Sequence, residues 1–256
     1  QELQALEKAH PELKLPDSPT SRVGGEPTSA FPTVPHVRPM LSLDNSYSRE
    51  DLEAFDRRVR EGLADEEYSY VFELKIDGVA LSLIYENSRL VRAVTRGDGI
   101  QGDEITANAR TIPTIPLRLR QPGISCEVRG EVYMENAAFA ALNIQREKDG
   151  EPLFANPRNS TAGSLKLQNP ELVAARHLRY FAYWSHRDND GAQCHSERLD
   201  SLREWGLVVN PATEHCATVG EVFDLYDLYA ATREQLPYQI DGVVVKIDRL
   251  NQQERL

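Results

Sequence analysis

Tyr70-Val71-Phe72-Glu73-Leu74-Lys75-Ile76-Asp77-Gly78-Val79-Ala80-Leu81-Ser82-Leu83-Ile84-Tyr85 sets two apolar runs around a charged centre. Branched and aromatic side chains fill both runs, and Gly78 permits a tight turn between them. Two strands are therefore expected, Tyr70 to Leu74 and Val79 to Tyr85. Similar short runs follow at Leu90 to Thr95, Cys126 to Tyr133, Arg179 to Trp184 and Val243 to Ile247, with a hairpin turn at Asn87-Ser88. This spacing suits antiparallel sheet better than repeated βαβ units. Helices are expected at Ala137 to Gln145, Ser196 to Trp205 and Glu221 to Thr232, the last announced by Thr218 and Glu221. The fold class is thus α+β, with antiparallel sheets flanked by helices.

Upstream, Leu3, Leu6 and Ala9 form one stripe of a short helix that ends before Pro11. It has no capping residue before it, which predicts that the chain begins inside an element. Prolines and glycines recur from Pro11 to Pro39 and resist helix or central strand, so residues 11–39 are expected to be a linker or wrapping segment. Ser48 and Asp51 then cap a helix whose apolar face is Leu52, Phe55, Val59 and Leu63.

The 256 residues can bury a sizeable core, and their 40% hydrophobic content excludes a disordered chain. No apolar run approaches the ~18 to 20 residues that span a bilayer, so a cytoplasmic protein without a membrane partner is expected. Cys126, Cys194 and Cys216 stand far apart, which disfavours a disulfide framework or a zinc site within the chain. The net charge of -11 argues against a wholly basic nucleic-acid binder but not against a local cationic face.

Lys75 between Glu73 and Asp77 is the densest chemical signal. A lysine becomes nucleophilic when desolvation or nearby cations favour its free amine, whereas carboxylates favour ammonium. A strand end held by ordinary ion pairs is the plainer alternative. Arg129-Gly130-Glu131 and Asp241-Gly242-Val243-Val244-Val245-Lys246 bring charge to two more strands. If the three converge, carboxylates can engage ribose hydroxyls or a divalent ion while the cations oppose phosphate. Gly97-Asp98-Gly99-Ile100-Gln101-Gly102 has the G-x-G-x-x-G form, but the polar stretch after it is halted by Pro113, unlike a dinucleotide-binding βαβ unit. Arg96 beside that turn, and Arg158 in the polar loop from Asn156 to Ser164, are candidate phosphate contacts. The run Tyr180 to Trp184 suits either base stacking or core packing.

Together, Glu73-x-Lys75-x-Asp77-Gly78, Arg129-Gly130-Glu131 and Asp241 to Lys246 resemble, in order, the motifs of covalent nucleotidyltransferases. Met40 to Asn45, Thr95 to Gly99 and Phe154 to Asn159 narrow the resemblance to the adenylation domain of bacterial NAD-dependent DNA ligases. The resemblance implies an ATP-grasp-like nucleotidyltransferase fold over residues 40–256, residues 1–10 being the end of an amino-terminal NMN-binding helical module. It implies that Lys75 attacks the α-phosphate of NAD, releases nicotinamide mononucleotide and carries AMP to the 5′-phosphate of a nick in double-stranded DNA. Ser42 and Leu43 would line the nucleotide site, Glu73 would read adenine and Glu131 would engage ribose. Arg96 and Arg158 would face phosphate, Asp77 and Asp241 would tune the centre, and Lys246 would span the adenine and phosphate sides. Magnesium, replaceable by manganese, is implied as a partner without a firm protein ligand.

The family's OB, zinc, helix-hairpin-helix and BRCT regions are not in the sequence, so sealing is expected of a longer, monomeric, nucleoid-associated protein, with zinc only there. Lys166 stands where the family usually has arginine, and Trp184 where it usually has glycine. Other readings are an ATP-dependent polynucleotide ligase or capping-type enzyme, and a non-catalytic nucleotide-binding module.

Overall fold

A computed structural model describes residues 2–13, 15, 18, 20, 22, 30–42, 44–64, 66–188 and 191–256, without the side chains of 4 and 5. Part of the expected wrapping segment, and Leu43, lie outside the described residues. The order is α1 (Glu2–Ala9), β1 (Thr33–Pro35), α2 (Arg49–Gly62), β2 (Tyr70–Ile76), β3 (Val79–Glu86), β4 (Arg89–Thr95), β5 (Gln101–Asp103), α3 (Thr106–Arg110), β6 (Cys126–Tyr133), α4 (Asn136–Lys148), α5 (Pro157–Leu165), α6 (Pro170–Ala174), β7 (Arg179–His186), α7 (His195–Glu204), β8 (Glu214–Cys216), α8 (Val219–Thr232), β9 (Ile240–Ile247) and α9 (Leu250–Gln253).

The strands form three antiparallel sheets, ordered β1-β5, β8-β2-β9 and β4-β3-β6-β7. The first two strands of the opening motif thus belong to different sheets, and Asp77-Gly78 carries the chain from one to the other. Only glycine fits there, since a Cβ on Gly78 would lie 2.1 Å from the Val132 carbonyl oxygen. Asn87 and Ser88 both take positive φ, 47° and 66°, as the β3-β4 hairpin requires.

Each larger sheet has its own core. One face of the four-stranded sheet buries Leu81, Leu83, Val128, Val132 and Tyr180 against Ile105, Ile112 and Leu202. The three-stranded sheet packs Tyr70, Phe72 and Leu74 with Val59 and Leu63 of α2 and Val222 of α8. Asp56 lies in that second core because the hydroxyls of Tyr68 and Tyr70 donate to its Oδ1 at 2.8 and 2.7 Å and Arg60 pairs with Oδ2.

The Ser48-Asp51 box caps α2 as expected. The stripe of α1 is different, since Leu3 and Leu6 stay exposed. The expected strands and later helices are all present, with ends shifted by up to three residues. Seven elements were not anticipated: β1 arises within the linker, α5 forms where a polar loop was read, and β5, α3, α6, β8 and α9 are short. Asn156 accepts from Asn159 N at 2.8 Å and Pro157 fills the first turn of α5, offsetting its weak Ser, Thr and Gly propensity.

Candidate active site

Lys75 stands one residue from the end of β2, where the chain leaves one sheet for the other. A cleft of about 880 Å³ opens there, lined from both sheets, a size suited to a small-molecule site. The period of two puts Glu73 and Lys75 on one face of β2 and Arg129 and Glu131 on one face of β6. Ser42, Glu73, Lys75, Arg96, Glu131, Arg158 and Lys246 all line the cleft. Asp77 and Asp241 enter through their pairs with lining cations.

Lys75 Nζ donates to Asp241 Oδ2 at 2.5 Å, a bond that holds the Asp241 carboxyl below its ordinary range. Arg158 Nη1 donates to Asp77 Oδ1 at 3.0 Å from the first turn of α5. Glu131 faces these charges without an ion pair among the described contacts. Burial dominates and pushes its carboxyl up to about 8, although Arg158, Lys75 and Arg96 oppose the shift.

At the other end, Lys246 Nζ lies 2.8 Å from Glu73 Oε1 and His195 Nε2 lies 2.7 Å from the same oxygen. Burial alone would raise the Glu73 carboxyl, but Lys246 and His195 outweigh it and hold it at about 2. The His195 ring is pushed the other way, down, by burial and by Lys246. The two shifts agree on an ionised glutamate beside a neutral imidazole.

Residues 36–42 form a strap whose Pro39, Met40, Leu41 and Ser42 line the cleft. Arg129 Nη1 and Nη2 donate to the carbonyls of Pro39 and Arg38 at 3.0 and 2.6 Å, while its Nε donates to Glu127 Oε1 at 2.7 Å. Its guanidinium lies 4.4 Å from the Trp184 ring centroid. Arg96 Nε reaches the Met40 carbonyl at 3.3 Å, and Met40 N donates to Gly99 O at 2.8 Å. The Gly97 to Gly102 segment is therefore a turn that holds the strap, with Asp98 accepting from Ile100 and Gln101. The aromatic run divides: Tyr180 and Phe181 are buried, and Tyr183 and Trp184 line the cleft. Lys166 lines it too and pairs with Asp103 at 3.3 Å.

His195 was missed, because a lone histidine before a helical pattern carries no sign that it will meet Glu73 across 122 residues. Arg129's hold on the strap was likewise invisible. Among the described residues no group of three or more His, Cys, Asp or Glu could hold a metal ion, and no helix is long and apolar enough to cross a membrane.

Residues 28–256 match the NAD-dependent DNA ligase adenylation domain, and residues 1–24 match the DNA ligase-like N-terminal NAD+-binding domain. The chain is 57% identical to a DNA ligase of Desulforudis audaxviator and 52% identical to one of Desulforamulus reducens, covering 100% of this chain and 38% of each relative. A Thermotoga maritima DNA ligase is 49% identical, over 98% of this chain and 36% of that protein. The chain thus spans less than two fifths of the length of these relatives. A solved ATP-dependent DNA ligase from bacteriophage T7, in complex with ATP, is 14% identical with a TM-score of 0.38, covering 80% of this chain and 63% of that one.

Proposed function

The chain belongs to the NAD-dependent DNA ligase adenylation domain family, and from that membership we propose that Lys75 is the nucleophile that takes the adenylyl group of NAD. The observation that carries this reading is the position of Lys75 on the cleft wall, between the Asp241 carboxylate and the Arg158-Asp77 pair. The reaction needs the free amine. Its lone pair forms the N–P bond at the α-phosphorus, the P–O bond to nicotinamide mononucleotide breaks with its electrons, and one proton leaves Nζ. Asp241 Oδ2 is already in hydrogen-bond reach of that proton.

Arg96 and Arg158 oppose phosphate charge, and Asp77 orients Arg158. Glu131, whose carboxyl burial pushes up to about 8, can both donate to and accept from ribose hydroxyls. Glu73 and Lys246 face the base, and Ser42 belongs to the wall. Asp77 and Asp241 are engaged by cations, so the described residues do not make a magnesium cage and no step is assigned to that ion. In the longer protein, AMP passes to the 5′-phosphate of nicked duplex DNA in the cytoplasm, and attack by the adjacent 3′-hydroxyl on that phosphorus breaks its bond to AMP, seals the strand and releases AMP.

Intact mass and peptide mapping of the full-length protein carrying this chain, incubated with magnesium and either NAD or ATP, test the reading. The expected result is one adenylyl group on Lys75 from NAD and none in Lys75→Ala. No adduct in folded protein, an adduct elsewhere, or preferential labelling from ATP overturns it.

A further inference from the structure

His195 is 1% exposed, yet its bond goes to a carboxylate in the cleft wall rather than to a structural partner in the core. An ionised carboxylate only accepts, so the imidazole hydrogen is on Nε2 and the ring donates. Lys246 Nζ, 3.2 Å from that nitrogen, is a second donor crowded onto the same Glu73 Oε1, not a partner of the ring. Both described side-chain donors therefore share Oε1, and Oε2 is the acceptor that remains for a molecule in the cleft.

The two donors contribute differently. Lysine supplies charge through three rotatable hydrogens, whereas the planar imidazole supplies direction. The ring is itself fixed. His195 begins α7, its backbone N–H donates to Asp248 O at 2.7 Å, and the next residue, Ser196, bonds both Asp248 oxygens through N and Oγ at 2.8 and 2.9 Å. Asp248 directly follows β9, the strand that carries Lys246. One junction thus registers both donors against Glu73.

We propose that His195 is a positioning residue that fixes the Glu73 carboxylate so that Oε2 accepts the exocyclic amine of the purine. This rests on the cleft being the adenylyl site. A binding site built to satisfy an amine rejects an analogue that lacks it, because Oε2 is then left without a donor. That discrimination depends on the carboxylate being unable to turn away.

The test is calorimetric binding of AMP and of purine riboside 5′-monophosphate, which lacks the amine, to the full-length protein carrying this chain. Wild type is expected to prefer AMP by about 30-fold, the scale of a hydrogen bond to a charged group. His195→Ala should cut the preference to about threefold. His195→Gln, whose amide nitrogen can take the place of Nε2, should restore it, and His195→Asn should not. If the alanine variant does not fold, the Gln and Asn pair decides. An unchanged preference in His195→Ala, equal behaviour of Gln and Asn, or no preference in wild type overturns the proposal. Lys75 labelling from NAD, read by mass on the same proteins, separates the two readings: labelled wild type without base preference sinks only the role of His195, and base preference without label sinks only the NAD reaction.

Discussion

Glu73 and Glu131 sit in one cleft and are driven in opposite directions. Glu73 is the more deeply enclosed, yet two donors keep it ionised, with its carboxyl at about 2. Glu131 has cations in view but no bonded partner among the described contacts, and burial lifts it to about 8. Burial therefore does not set the charge of a carboxylate by itself; a directed donor within hydrogen-bond distance decides whether desolvation is offset. The cleft consequently has one end with a fixed acceptor and another with an exchangeable proton.

Lys246→Met strikes the difference hardest. It strips a nearly buried carboxylate of its cation and is expected to cost about 3 kcal/mol in chemical denaturation. A loss below about 0.5 kcal/mol, the scale of an exposed pair, would mean that His195 alone sustains the charge.

Glu131→Gln tests the other end. Between its ordinary 4.5 and about 8 the folded chain keeps a proton that the unfolded chain has released, so stability falls as pH rises through that window. The glutamine variant should lose this part of the slope and gain on the order of 1 to 2 kcal/mol near pH 8. Glu73 has the reverse sign: its contribution is present above 4.5 and is lost as pH falls toward about 2. Denaturation curves from pH 3 to 9 for both proteins would show whether two opposed slopes exist.

Arg158→Ala has the smallest effect. Arg158 is the leading charge that restrains Glu131, and its loss should raise the carboxyl titration by roughly half a unit, followed by carbon-detected NMR. A downward shift would show that Asp77, released from its partner, does not act on Glu131 as expected.

The fixed end was half legible in the sequence. Strand periodicity put Glu73 and Lys75 on one face and marked Lys246 on a later strand. The register that pairs Glu73 with Val244 and Val71 with Lys246 then brings them together. His195 had no such signal, because its role comes from where α7 begins against β9, a tertiary fact. The exchangeable end was legible as charged motifs, but the α5 helix that delivers Arg158 was hidden under residues of poor helix propensity. The cues for it, Asn156 as a cap and Pro157 in the first turn, were in plain sight. The strap was least legible of all, since backbone carbonyls held by Arg129 and Arg96 leave no mark in side-chain patterning.

The chain has two tryptophans. Trp205 is buried and donates its Nε1–H to Gln121 at 3.1 Å, outside the cleft lining, whereas Trp184 lies in the cleft with a guanidinium over its face. Trp184 therefore gives the protein a built-in optical gauge. Emission from Trp184 reports what fills the cleft, Trp205 serves as the internal reference, and Trp184→Phe supplies the blank.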